Sequence, residues 1–475
     1  VNSNVYITGK MTAGLWFEDI WLGGELFVAK YDSTGGLLWA KPIDGSTMTV
    51  SSIATDSEEN CYVVGWFSSL LISDTIEIWS ENFLSRLFII KYNKDGETVW
   101  INSFLNRNIS FKENYRIKPA GISINEKYKH IYITGMDYYD EDGNRDSKLF
   151  IAKCSLEGGD LLSFTTIAKS NAYPRSRYRN YGYGIVNDSS SVYICGSMKK
   201  SEGKCNFYIA KLDTNLNIIW EKQPVESELA SIAYDIALDD ENNAYITGYY
   251  SDSITIGMKS FTSLGEQDLF IAKYSGEGEF IWAKSAGSAI AGYKGYDFGY
   301  SLSFDNYNSI YLSGYVGEDA IFSPETQTQY EGPFLAKLNK FGDYEFVNSY
   351  FTGYNSVYEW GAGRVACSPD GSLYFTTNIQ DSISLGVPFY KQGLESGGFE
   401  LYPNPANEVV NFRYNPNQTI TSARIINLSG QTVYESKDIK TNQLNIGFLK
   451  SGIYLVELEF SDKSRAIQKF IVKKK

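Results

Sequence analysis

Carboxylates, thiols and a cluster of arginines are the side chains here that could do chemistry. Asp235, Asp297 and Glu359 lie beside loops that could converge. Cleavage of a glycosidic bond asks for two such carboxylates about 5 to 10 Å apart. With 56 acidic residues in the chain, pairs of this kind arise by chance, and no motif selects one. The single histidine, His130, sits beside the stretch IYITG and reads as a strand-end residue. Its solitude excludes any site built on two histidines. Cys61, Cys154, Cys195, Cys205 and Cys367 show no CxxC spacing, which argues against structural zinc. Most of them fall within strand patterns and read as buried thiols. Cys195 and Cys205 flank a short hairpin and could face each other across it as a disulfide. The acidic stretch DYYDEDGNRD (137–146) fails as an EF-hand, with Tyr138 at the first ligand position and Leu149 at the twelfth. No metal, no cofactor and no catalytic residue is expected.

Binding chemistry is better represented. The segment SNAYPRSRYRNYGYG (170–184) carries three arginines and no acid. AGYKGYDFGY (291–300) and SYFTGYNSVYEWGAG (349–363) are rich in aromatics. Tyrosine and tryptophan faces stack on sugars and other flat groups, and guanidinium forks suit carboxylate or phosphate. The candidate ligand contacts are Tyr173, Arg175, Arg177, Arg179, Tyr293, Tyr296, Tyr354 and Trp360. They suit an anionic glycan or a protein partner. The competing reading is that the tyrosines only pack one element against the next.

A repeat must position these loops. One strand recurs seven times: VYITG (5), CYVVG (61), IYITG (131), VYICG (192), AYITG (244), IYLSG (310) and LYFTT (373). A second recurs as FVAK (27), FIIK (88), FIAK (150), YIAK (208), FIAK (270) and FLAK (334). A third ends in Trp39, Trp100, Trp220 and Trp282, with Phe164 and Phe346 in the other copies. A fourth precedes YITG: SSIATD, AGISIN, YGIVND, YDIALD, YSLSFD and RVACSP. Taken in chain order as A to D, these are four short strands per unit, with Ile236 and Leu238 sharing a face by alternation. No helical period of useful length is present. The expectation is an all-β chain with a seven-bladed β-propeller whose first blade lacks strand A. Six blades result if the first and last partial blades merge, and a stacked solenoid is the architecture to set against both. A-to-B and C-to-D turns are tight and share one face. The longer B-to-C and D-to-A connections, including the aromatic segments above, share the other, where function collects.

Composition sets further bounds. The chain has 475 residues and a net charge of −13. Residues 401–475 hold 11 basic and 6 acidic residues, so the remainder is strongly acidic and unsuited to general nucleic-acid binding. No apolar run is long enough for a membrane helix. The chain begins at Val1 partway through a repeat and without a signal peptide, so upstream residues are expected to be missing.

The repeat breaks near residue 399. FELYPNP (399–405) stands where FIAKY is due. Six or seven short strands follow, enough for a small Ig-like β-sandwich. Pro403 and Pro405 cannot donate to a strand ladder and mark a hinge. The expected domains are 1–398 and 399–475. The motif Tyr402, Pro403, Asn404, Pro405, followed by ARIINLSGQTVYES, LKSGIYLVELEF and a lysine-rich end, resembles the type A C-terminal sorting domain of the type IX secretion system in Bacteroidota. The blades resemble the bacterial β-propeller repeat (SBBP-like) family. The sorting-domain resemblance implies the secretion machinery as a partner of residues 401–475. It also implies export to the outer-membrane surface or the medium. The functional expectation is a secreted or surface binding module rather than an enzyme. The alternatives are a propeller glycosidase or lyase, or a purely structural surface protein.

Overall fold

The computed structural model describes residues 4–472 apart from 12–13, 18–19, 34, 81–83, 106–115, 142–143, 168–179, 202–203, 290–294, 307, 350–363, 368–372, 377–398, 403–407, 415–418, 428–431, 438–442 and 462–464. The chain divides into two compact units, Val1–Leu385 and Gly386–Lys475. Every described element of regular structure is a β-strand.

The four-strand unit of the sequence is a four-stranded antiparallel sheet in the order A-B-C-D. These sheets are the blades of a β-propeller. In blade 5 the strands are Ser231–Leu238, Ala244–Tyr250, Asp268–Tyr274 and Phe280–Ala286. Blades 2, 3, 4 and 6 repeat this order. Blade 1 is described from strand B (Val5–Lys10) and blade 7 as strands A (Arg364–Cys367) and B (Leu373–Thr376). The A strands of successive blades pack side by side, so A is the innermost strand.

The repeated residues form one interlock between neighbouring blades. The D-strand tryptophan of a blade lies on the left-handed glycine in the next blade's C-to-D turn. Trp39 lies on Gly96 (φ +83°), Trp220 on Gly278 (φ +83°) and Trp282 on Gly342 (φ +84°). A Cβ at Gly278 would sit 2.8 Å from the Trp220 ring. The indole nitrogens of Trp39 and Trp220 donate to the turn carbonyls of Lys94 and Gly276 at 3.0 and 3.1 Å. The C-strand lysines Lys30 and Lys211 donate to the same two carbonyls. Each of these lysines also lies over the tyrosine ring of its own YITG-type strand, Lys30 over Tyr6 and Lys211 over Tyr193, at 5.2 and 5.1 Å. Tyr62, Tyr193, Tyr245 and Tyr311 donate their hydroxyls to the A-to-B turn aspartates Asp56, Asp188, Asp239 and Asp305. Blade 7 meets blade 1 at the same acceptor position but from a different donor. The Tyr374 hydroxyl donates to the Ser33 carbonyl at 3.4 Å, the turn position that Lys94 occupies in blade 2. Contact between the last blade and the first belongs to radial blades and not to a stacked solenoid.

The YITG glycine has a separate cause. Each complete blade has a β-bulge in strand A opposite it, with register shifts at Val50/Ser52, Pro119/Gly121, Gly182/Gly184, Ala233/Asp235 and Gly299/Ser301. The bulge drives an A-strand carbonyl into the space a Cβ would need. At Gly248 that atom would lie 1.8 Å from the Ile232 oxygen, and at Gly314 1.8 Å from the Phe298 oxygen.

In blades 2, 5 and 6 the B-to-C hairpin staples the blade to the one before. The Leu70–Ser73 hairpin of blade 2 pairs with the end of blade 1 strand D, Leu71 opposite Gly45. The Ser253–Ile256 hairpin of blade 5 pairs with Glu226–Ser227 in the link from blade 4. Ile321 of blade 6 bridges Gly287 just beyond blade 5 strand D.

Cys195 and Cys205, which the sequence allowed to face each other across the hairpin, do not form a disulfide. All five cysteines are free. The register sets Ile209 opposite Cys195 and Lys199 opposite Cys205. Both thiols are buried and point to the blade 5 A strand, towards the carbonyls of Ala233 and Ser231. They serve blade packing.

In the C-terminal unit, Phe399–Tyr402 pairs with Val409–Tyr414. Phe399 therefore starts a new sheet. That three-stranded sheet and a four-stranded one share a core that includes Val410, Phe412, Ile425, Val456 and Leu458. Tyr402 ends its strand, and Pro403, Asn404 and Pro405 lie outside the described residues.

Two alanine substitutions separate the roles of these glycines. Gly248→Ala is expected to cost about 3 kcal/mol or more, because its Cβ meets backbone. Gly9→Ala meets only the Phe27 side chain, at 2.9 Å, and should cost about 1 kcal/mol. Chemical denaturation of both variants checks this, and equal losses would refute the bulge as the cause.

Candidate functional site

A bulge re-aims the side chain of its extra residue. Here that residue is Ser51, Ala120, Tyr183, Tyr234 or Tyr300 in blades 2 to 6, and Arg364 holds the aligned place in blade 7. Along the inner strands this column runs from small residues through three tyrosines to a guanidinium. It lies near the start of each A strand, just inside the side that carries the D-to-A loops.

The tyrosines form a continuous arc. The Tyr183 and Tyr234 rings are 5.1 Å apart and edge-on, and those of Tyr234 and Tyr300 are 5.0 Å apart. Tyr181 flanks Tyr183 at 4.4 Å. Phe298 lies 5.5 Å from Tyr300 and 6.0 Å from Tyr296. The three column tyrosines are half-buried. Burial pushes all three phenols well above their ordinary pKa, so they stay neutral hydrogen-bonding groups. Arg364 is exposed, and its positive charge reaches Asp235 and Tyr300.

The two described carboxylates raised as catalytic candidates already have partners. Asp235 accepts the amides of Ile236 and, across the blade boundary, Leu302 at 2.9 Å. Burial raises its pKa, and the Arg364 charge opposes that rise. Asp297 is fully buried and accepts the Ser288 amide and hydroxyl and the Gly317 amide, at 2.8 to 2.9 Å. It ties the end of blade 5 to strand B of blade 6. Asn180 does the same work in blade 4, accepting the Lys199 amide at the position aligned with Gly317. Burial pushes the Asp297 pKa up to about 7, with the neighbouring Asp268 charge adding to the rise. Glu359 lies outside the described residues.

Among the ligand contacts expected from sequence, Tyr296 is described. It joins the same aromatic cluster as the arc. Tyr173, Arg175, Arg177, Arg179, Tyr293, Tyr354 and Trp360 lie outside the described residues. Sequence reading missed Tyr183, Tyr234, Tyr300 and Arg364. Their signal was the first residue of the aligned stretches YGIVND, YDIALD, YSLSFD and RVACSP. His130 opens strand B of blade 3, its ring stacked on Tyr128 and its Nδ1 3.3 Å from the Tyr132 hydroxyl. Burial lowers its pKa first, and the Lys153 charge adds to this.

Residues 400–473 match the family described as the secretion system C-terminal sorting domain. That tail implies export through type IX secretion, to the cell surface or the extracellular space. Among curated proteins, an uncharacterized WD repeat-containing protein of Acanthamoeba polyphaga mimivirus is 21% identical over 336 residues, covering 54% of this chain and 24% of the relative. Beta-agarase D of Zobellia galactanivorans is 26% identical over 158 residues, covering 32% of this chain and 30% of the relative. The chain therefore spans less than a third of the length of either. Among solved structures, the β-propeller domain of the Trilobed protease from Pyrococcus furiosus is 13% identical with a TM-score of 0.37. That alignment covers 84% of this chain and 98% of the other. The soluble aldose sugar dehydrogenase of Escherichia coli is 10% identical with a TM-score of 0.33, covering 72% and 97%. No helix among the described residues is long and apolar enough to cross a membrane.

The raised carboxyl of Asp297 gives a pH prediction with a fixed sign. A folded pKa of about 7 contributes stability that is complete below the ordinary carboxyl range and lost as pH rises through 7. Thermal denaturation should therefore show Tm falling between pH 5 and pH 8. Asp297→Asn, which imitates Asn180, should flatten that slope. An unchanged slope in the variant would contradict the assignment.

Proposed function

We propose that the propeller is a ligand-binding module, delivered outside the cell by its C-terminal tail, and that the ligand lies across the mouth on the D-to-A side. The observation that carries this reading is the arc Tyr183, Tyr234, Tyr300, continued by Arg364 in the aligned place. Aromatic faces beside a guanidinium suit a glycan or protein segment bearing acid groups. Tyr173, Arg175, Arg177, Arg179, Tyr293, Tyr354 and Trp360 lie on the connections that lead into these inner strands and would extend the surface around Tyr296. The amide clamps on Asp235 and Asp297 support binding over hydrolysis, since both carboxylates spend their lone pairs on holding blades together. The likeness to beta-agarase D favours one second reading, an enzyme acting on polysaccharide.

A glycan array and a pull-down screen with the propeller separate these readings. The triple variant Tyr234→Ala, Tyr300→Ala, Arg364→Ser should bind the recovered ligand at least about tenfold more weakly, as expected for loss of central aromatic and arginine contacts. Unchanged affinity in a folded variant removes the site. Release of reducing ends from a polysaccharide panel by the native protein would instead support the enzyme.

Removal of residues 399–475 should leave a folded propeller inside the cell envelope. Surface and medium fractions probed by antibody check this, and normal secretion of the shortened chain would refute the sorting role.

A further inference from the structure

A second concavity lies away from the inner strands, between the B-to-C hairpins of blades 5 and 6. It is an open cleft of about 420 Å³, contained within the propeller unit. That volume is in the range of small-molecule sites. Its walls come from three elements: the outer strand of the blade 5 hairpin (Lys259–Thr262), the end of blade 5 strand D, and the blade 6 strand Ile321–Ser323.

The lining combines aromatic faces with hydroxyl groups. Tyr250 and Phe322 are buried at the floor, and Phe261 stands 6.4 Å from Tyr250, tilted by 43°. Ser260 and Thr262 are exposed at the rim. Deeper in, the Tyr250 hydroxyl and Ser285 Oγ are 2.8 Å apart and hydrogen-bonded to each other. The one carboxylate of the lining is Asp268, which is 1% exposed. Its carboxylate rests on Gly287, where any Cβ would come within 2.5 Å of it, and it accepts the Leu264 and Gly265 amides at 3.0 and 3.4 Å. Neither lysine nor arginine lines the cavity.

We propose that this cleft binds a neutral pyranose unit, with ring carbons against Phe261 and sugar hydroxyls on Ser285 and the rim residues Ser260 and Thr262. An apolar sugar face matches the Phe261 ring. Serine and threonine hydroxyls offer the donors and acceptors that sugar hydroxyls need, and Asp268 lies behind them as a buried carboxylate already held by amides. An acidic sugar would set its charge beside Asp268 with no cation to offset it. Burial also raises the Asp268 pKa to about 6, a sign that additional negative charge is disfavoured here. This site is separate from the mouth, and its ligand need not be the same one.

Titration calorimetry and saturation-transfer NMR on the full chain test the idea with D-glucose, D-galactose, N-acetyl-D-glucosamine and D-glucuronate. At least one neutral sugar should bind with a Kd of about 1 mM or tighter, within reach of so small a ligand. Glucuronate at pH 8 should bind at least tenfold more weakly. Thr262→Trp, at the rim on the blade 5 side, should abolish binding, and Ser323→Trp does the same from blade 6 should the first variant fail to fold. Tyr234→Ala should leave sugar binding intact, which separates this site from the mouth. The proposal is overturned by any of three results: no neutral sugar bound, affinity unchanged in a folded plugged variant, or glucuronate bound as well as its neutral counterparts.

Discussion

The propeller depends on one contact that recurs between blades 1 and 2, 2 and 3, 4 and 5, and 5 and 6: an indole packed on a left-handed glycine of the following blade. That contact needs two things at once. The C-to-D turn must place glycine at positive φ, as Gly96, Gly159, Gly278 and Gly342 do. The preceding blade must end in an indole long enough to cross the gap, and in Trp39 and Trp220 the indole nitrogen also finds a turn carbonyl. The lysine of strand C and the tyrosine of strand B fill in around it, which is why FIAK, YITG and the terminal tryptophan recur together. Stabilisation comes from buried aromatic area together with charge-assisted hydrogen bonds from Lys30 and Lys211. Each blade lacks a complete core of its own. The buried clusters draw residues from neighbouring blades, as Phe207 of blade 4 and Phe270 of blade 5 share one at 5.2 Å.

The inner edge follows from that frame. With the blades held by their outer strands and turns, strand A is free to carry a bulge opposite the YITG glycine. The bulge turns one residue per blade out of the usual alternation. The identity of these residues varies from Ser51 and Ala120 to Tyr183, Tyr234, Tyr300 and the aligned Arg364. Variation in a rigidly repeated setting is what a binding surface needs. The two buried acids near the same edge behave differently. Asp235 and Asp297 occupy their oxygens with amides of adjoining strands and act as clasps.

Much of this was legible in the sequence. The four-strand unit and its order follow from hydrophobic pattern and recurrence alone. The sorting tail was legible because its short motifs come in a fixed order. The bulge was not, since strict alternation through YDIALD treats Tyr234 like any other residue, and only the 1.8 Å approach at Gly248 reveals the extra one. The disulfide open to Cys195 and Cys205 is ruled out by the same kind of detail. Sequence gives two cysteines near a hairpin, whereas register decides which residues oppose each other. The cleft beside Asp268 was invisible because it joins hairpins of two blades through contacts that no local pattern encodes.

We propose the mouth, at the column of bulge residues, as the place where this propeller meets its ligand. A crystal structure of the propeller with the glycan or peptide recovered from the screens tests this. Ligand density is expected over the rings of Tyr234 and Tyr300, with an acid group at Arg364. Density seated instead on the outer D strands or on the tight-turn face, with the mouth empty, would contradict it.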